Sequence, residues 1–338
     1  MRPLLNHQRF FTVITTFAGL YLFFLTVSPL IGPTKIDIVK VLFDDLSPTS
    51  NVDSNVFFIA RLPRVLMASL VGAALGVAGA VFQALLRNDL AAPFTLGVTS
   101  GAALGAVIAI HLGLSTTIFG LPTIPLAAFA GAFGAVALVF SLVRRRSEEF
   151  PISVVLLAGI TVNFFFAALV MLIHYMSNIT QSFQIVRWLM GGLDITEFRL
   201  LGTVAPMVLV GITASITIAR DLNIVSAGSE LAMGRGVNVG NVQLKGFLAA
   251  SLITGAVVSI SGPITFVGLI VPHIVRLLIG PDHRLLIPAS MFFGATFMIA
   301  CDTLARIALA PTEIPVGIIT AILGGPFFIW LLKRQKQR

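Results

Sequence analysis

Arg61 and Arg64 stand three residues apart in Arg61-Leu62-Pro63-Arg64, and Asp302 and Arg306 stand four apart in Asp302-Thr303-Leu304-Ala305-Arg306. A guanidinium presents a planar fork that grips a carboxylate through two hydrogen bonds. Residues four apart share one helix face, so Asp302 and Arg306 predict an ion pair along a helix. The chemistry on offer is ion pairing, not bond making. There is no G-x-x-x-x-G-K-[ST] phosphate loop and no H-E-x-x-H metal pair. The five histidines are His7, His111, His174, His273 and His283, and no two have the spacing of helical metal ligands. Cys301 is the single cysteine, which excludes an intrachain disulfide and a cysteine-rich metal centre. No catalytic residue, metal or cofactor is therefore expected on this chain.

The elements that hold these residues follow from composition. Of 338 residues 57% are hydrophobic and 11% charged, with a mean hydropathy of +1.00. Soluble domains carry roughly 45–50% apolar and about 25% charged residues. An all-α, multi-pass membrane protein remains. Ten apolar runs are long enough to consider as spans: Phe10–Ile31, Leu66–Leu86, Leu96–Leu112, Ile124–Val143, Ile152–Met176, Leu200–Ala219, Gly246–Ser261, Phe266–Ile279, Leu286–Ile307 and Ile314–Leu332. The eighth is short for a full crossing and predicts a broken or tilted segment. With both termini in the cytoplasm, fifteen of the 22 Lys and Arg fall on the cytoplasmic side and seven outside. That asymmetry obeys the positive-inside rule, with Arg144–Arg146 and the C-terminal tail deciding it. The same loops account for the net charge of +8, so no nucleic-acid partner is expected. Every Asp, Glu, Lys and Arg is expected in a loop or near a span end. That argues against an ion-coupled secondary transporter, which carries charge deep in its spans. Arg61, Arg64 and Arg306 then fall on the outer side, where snorkelling at the interface is the plain alternative to pairing. Exposed pairs of this kind contribute only about 0.2–1 kcal/mol each.

Three stretches lie outside the spans. The first runs from Gly32 to Ala60 and carries Asp37, Asp44, Asp45 and Asp53. The second, Ser177 to Phe198, holds an amphipathic piece at Gln184–Leu189 followed by Gly191-Gly192. The third is the cytoplasmic loop 220–245, in which Ser229-Glu230-Leu231-Ala232-Met233-Gly234 predicts a short helix ended by Gly234 and Gly236. Gly324-Gly325-Pro326 predicts a break in the last span. Gly72-Ala73 with Gly79 and Gly255-Ala256 with Gly262 repeat one spacing in spans of opposite direction. That is the pattern of two inverted five-span halves, 1–176 and 177–338, within a single transmembrane domain covering 1–338.

Three longer motifs add to this reading. One is Arg61-Leu62-Pro63-Arg64 with Leu70-Val71-Gly72-Ala73-Ala74-Leu75. A second is Gln83-Ala84-Leu85-Leu86-Arg87-Asn88-Asp89-Leu90-Ala91-Ala92-Pro93 followed by Leu96-Gly97-Val98. The third begins Gly262-Pro263-Ile264-Thr265-Phe266-Val267-Gly268 and runs through Val271-Pro272-His273-Ile274-Val275-Arg276. It continues with Pro281-Asp282-His283-Arg284 and Glu313-Ile314-Pro315-Val316-Gly317, and closes on Leu323-Gly324-Gly325-Pro326. From about Arg61 to the C-terminus the chain resembles the FecCD family, the membrane subunits of type II ABC importers for ferric siderophores, haem and cobalamin. Asn88-Asp89 departs from the family's usual Asn-Pro, which predicts an altered turn after the second span.

The resemblance implies a ten-span subunit of the bacterial inner membrane that pairs with a second permease subunit, identical or paralogous. It implies two cytoplasmic ATPase subunits that hold ATP and Mg, and a periplasmic or lipoprotein substrate-binding protein. By the same resemblance, Arg61, Arg64 and Arg306 receive acidic residues of the binding protein. Ser229, Glu230, Leu231, Met233 and Gly234 contact the ATPase, and Asn88, Leu90, Ile152 and Ser153 form a cytoplasmic gate. A ferric siderophore is the expected cargo, with haem, cobalamin or molybdate as the alternatives.

Overall fold

A backbone in lipid must satisfy its own hydrogen bonds, and this chain does so almost entirely with helices. The computed structural model describes residues 6–34, 36–37, 41, 52–114, 116–118, 121–143, 151–193 and 198–335. Arg144–Arg146, Asp44, Asp45, Lys336 and Arg338 lie outside the described residues. In chain order the helices are α1 (His7–Val27), α2 (Leu62–Leu85), α3 (Val98–His111), α4 (Thr123–Val143), α5 (Ile152–Met176), α6 (Ile179–Leu189) and α7 (Phe198–Thr217). They continue as α8 (Ala219–Ala227), α9 (Ser229–Gly234), α10 (Val239–Ser261), α11 (Val267–Ile279), α12 (His283–Ile307) and α13 (Val316–Gln335). Between α3 and α4, β1 (Thr117–Ile118) and β2 (Leu121–Pro122) pair antiparallel.

Each of the ten expected apolar runs is helical. Among the described residues seven helices are long and apolar enough to cross a membrane, and Val98–His111, Val267–Ile279 and Val316–Leu331 are shorter apolar helices. Several boundaries differ from expectation. The second long helix is continuous from Val52 to Leu85, 34 residues, because a π-helical turn, Val56–Arg61, carries the preceding stretch straight into α2. The helix α10 starts at Val239 and not Gly246. Asn238 caps it by accepting a hydrogen bond from the Asn241 amide at 2.9 Å. The last helix runs through Pro326 without the expected break.

The core is a set of close backbone approaches around α2. A methyl on Gly72 would lie 2.2 Å from the Gly294 carbonyl oxygen, and one on Gly294 would lie 2.3 Å from that of Gly72. A methyl on Gly79 would lie 1.8 Å from the Gly268 carbonyl oxygen. Glycines therefore let α12 and α11 pack backbone to backbone against α2, the small-residue solution to helix packing in lipid. Gly101 and Gly131 do the same between α3 and α4. Gly262, matched by spacing to Gly79, instead ends α10 at φ +65°.

The amphipathic piece expected near Gln184 is α6, opened by a reciprocal capping box between Asn178 and Gln181. Behind it Gly191 turns at φ +70°. Its neighbour Gly192 donates to the Ser261 carbonyl at 2.8 Å, and the Gly317 amide donates to Gly191 at 3.1 Å. One turn thereby ties α6, α10 and α13 together.

Candidate functional site

At one end of α2 the π-helical turn and the first turn of the helix bring Arg61 and Arg64 onto one side. Both were expected to be exposed, as was Arg306; all three are buried, at 5%, 8% and 3% exposure. For Arg64 and Arg306 the reason is a shared carboxylate, 238 residues from Arg64 in sequence and four from Arg306. Asp302, fully buried, accepts from Arg64 Nε through Oδ1 at 2.8 Å and from Arg306 Nε through Oδ2 at 3.1 Å. The expected pair along α12 is present, and Asp302 bridges two arginines. Arg64 also pairs with Glu313. Arg306 donates to the Ile31 carbonyl at 2.9 Å and to Ser28 Oγ at 3.0 Å. Arg61 donates to the Pro29 carbonyl at 3.1 Å and to Thr34 Oγ1 at 3.0 Å.

This network fixes the guanidiniums of Arg61, Arg64 and Arg306, with two carboxylates set against the three. Arg61, Arg64, Arg187 and Arg306 line a cavity of about 400 Å³, and among the described residues its lining holds one carboxylate, Glu313. A cleft with an excess of one charge sign and low-dielectric walls focuses its field outward and attracts the opposite charge. Arg187 and Glu313 were missed in the sequence. Their signals were the amphipathic α6 and the Glu313-Ile314-Pro315 motif.

At the other end of α2 the chain turns through Arg87, a non-glycine residue at φ +48°. Asn88 Oδ1 accepts the Leu90 amide at 2.9 Å, and both residues are exposed. Asp89, where the family motif has proline, pairs with Arg276 at 2.7 Å. Arg276 also donates to Gln83 Oε1 at 2.7 Å, which gives that buried amide its partner. Ile152 and Ser153 open α5. Among the described residues no hydrogen bond joins them to Asn88 or Leu90. The link is indirect, through the turn Pro93–Leu96, whose Thr95 carbonyl lies 2.1 Å from where a methyl on Gly159 would stand.

The loop 220–245 is largely helical. Glycine at 228, with φ +145°, separates α8 from α9. The expected short helix is Ser229–Gly234, and Gly236 follows it at φ +78°. Ala232 is fully buried beneath it, while Leu231 and Met233 are 47% and 51% exposed. Ser229 is half-buried, and Glu230 and Gly234 are exposed. Arg87 Nε donates to the Val225 carbonyl at 2.9 Å. Asn223 donates to Asp282 Oδ1 and accepts the His283 amide, each at 2.8 Å. Burial alone would raise the Asp282 carboxyl, but hydrogen bonds from Arg284 and Asn223 outweigh it and hold it at about 2. The exposed helix α9 is thus carried by α8, which is clamped to α2 and α12. Those two helices reach the arginine cavity at their far ends.

Apolar helices packed through glycine, with an ion-paired network at each end, define a polytopic membrane protein. Residues 20–334 match the FecCD transport family. A hemin transport system permease protein of Yersinia pestis is 37% identical over 94% of this chain and 96% of its own. An iron(3+)-hydroxamate import system permease protein of Bacillus subtilis is 34% identical over 99% of each chain. A solved metal-chelate type ABC transporter in an inward-facing conformation superposes with a TM-score of 0.82 at 32% identity, covering 96% of this chain and 99% of that one. The chain belongs to the FecCD transport family. It is accordingly an ABC importer permease, a transport subunit and not an enzyme.

Proposed function

We propose that this chain is one of two permease subunits of a type II importer that carries a ferric siderophore across the bacterial inner membrane, powered by ATP on partner subunits. The observation that carries the reading is the pairing of two faces by α2 and α12. Four arginines line a cavity at one end, and Leu231 and Met233 stand exposed near the other. In this reading the cavity receives carboxylates of a substrate-binding protein. Buried, pre-oriented guanidiniums suit that role, since little side-chain entropy remains to be lost. Their charge speeds encounter and sets orientation more than it adds affinity. The helix α9 seats Leu231 and Met233 in the ATPase, and rigid-body motion passes along the packed helices. Asn88, Leu90, Ile152 and Ser153 close the cytoplasmic side of the pathway.

Ferric hydroxamate is favoured because the hydroxamate permease aligns over 99% of this chain. Haem is the second reading, favoured by the higher identity to the hemin permease, 37%. Uptake of labelled ferric hydroxamates, hemin and cobalamin in cells lacking and then regaining the chain separates them. Loss and rescue of ferric hydroxamate uptake alone is the expected result. Loss and rescue confined to hemin or cobalamin would overturn the siderophore assignment and keep the mechanism.

A further inference from the structure

We propose that the chain holds an anionic phospholipid headgroup in a cleft between α1, α8 and α12. The cleft has a volume of about 600 Å³ and is lined by His7, Phe10 and Phe11 of α1, Ile216 of α7, Arg220 of α8 and Arg284 of α12, among others.

Its polar side is positive for two separate reasons. Two arginines face it, and two helices begin beside it, at His7 and His283. Helix N-termini carry partial positive charge and unpaired amides, which favour phosphate. No side chain caps those amides on α1. The neighbouring carboxylates differ in what they leave available. Asp282 caps α12 and pairs with Arg284 at 2.6 Å. Asp221 follows Arg220, about 100° further round the helix. Arg220 is exposed, and among the described residues no carboxylate pairs with it.

The other side of the cleft is apolar and uncovered. Phe11 is 63% exposed and Ile216 is 47% exposed. A free phosphate has no use for such a wall, whereas a phospholipid requires it beside the headgroup site. The position agrees. The cleft lies where α1 and α12 begin and α7 ends, at the membrane boundary that the Lys and Arg distribution assigns to the cytoplasm. Basic pockets between helices at that boundary recognise anionic headgroups. The bound lipid would brace α1 against α8, the helix that carries α9.

The test uses the full chain purified in nanodiscs of phosphatidylcholine, with and without phosphatidylglycerol. Lipid retention is read by native mass spectrometry and thermal stability by tryptophan fluorescence. Wild type is expected to retain phosphatidylglycerol and to melt higher in its presence. Arg220→Gln should bind it about five-fold more weakly, the loss expected for one basic group at an anionic surface. Arg220→Lys should restore binding to within about two-fold, since the charge is kept, and Arg235→Gln, outside the cleft, should match wild type. Equal retention by wild type and Arg220→Gln would overturn the site. Equal stabilisation by inorganic phosphate or glycerol 3-phosphate would overturn the lipid assignment.

Discussion

Asp302→Ala is expected to cost about 3–5 kcal/mol of stability, the scale for removing one partner of a buried ion pair. Asp302 is fully buried and holds both Arg64 and Arg306. Alanine would leave two buried guanidiniums facing each other without the carboxylate between them. Against a total stability of about 5–15 kcal/mol, that loss should appear as poor accumulation and a sharply lowered melting temperature in detergent. The contrast with Glu313 makes the prediction specific. Glu313 pairs with the same arginine, but its side chain is 42% exposed. Glu313→Gln should therefore change stability by no more than about 1 kcal/mol. The double variant Asp302→Leu with Arg306→Met should recover part of the loss, because apolar replacements of similar volume are tolerated where an unpaired charge is not. If Asp302→Ala and Glu313→Gln melt together at the wild-type temperature, Asp302 does not organise the arginine cavity.

The second large effect lies at the opposite end. Leu231→Arg should leave melting within about 0.5 kcal/mol of wild type, since the residue is half exposed and its neighbour Ala232 makes the packing contact. It should weaken association with the ATPase by about thirty-fold or more, the roughly 2 kcal/mol scale of an interface hot spot. Glu230→Gln, at the exposed edge of the same helix, should have a much smaller effect. Co-purification of the ATPase with each variant measures both. Unchanged co-purification and ATP-driven transport in Leu231→Arg would remove α9 from the coupling interface.

What could be read from the sequence followed locality. Every apolar run became a helix because hydropathy is a local property and lipid leaves the backbone no other choice. The helix α9 was legible from its six residues and the glycines after it. The helix before it was not. Its polar positions Arg220, Asp221, Asn223 and Ser226 hide any apolar stripe, and its place is set by Asn223 bonding 59 and 60 residues away and by Arg87 reaching Val225 across 138. The start of α10 was misplaced because Asn241, Gln243 and Lys245 dilute its first turns, although Asn238 is a readable cap. The break expected at Pro326 did not occur, since membrane helices absorb a proline when neighbouring groups satisfy the freed carbonyl. Most consequential was the burial of Arg61, Arg64 and Arg306. Arginine near a span end reads as surface, and only the fold brings Asp302 to Arg64. Arg187 and Glu313 reach the same cavity from two further elements, a convergence no single stretch of sequence displays.

In the proposed function ATP on a partner, and not an ion gradient, drives transport through this chain. The most direct measurement is accumulation of a radio-iron hydroxamate by proteoliposomes carrying the chain, its second permease subunit and the ATPase, with binding protein on the opposite side. Accumulation is expected only when binding protein is present and ATP is supplied to the ATPase side, and none from a proton or sodium gradient. Accumulation by liposomes holding the chain alone, driven by an ion gradient without ATP, would contradict it.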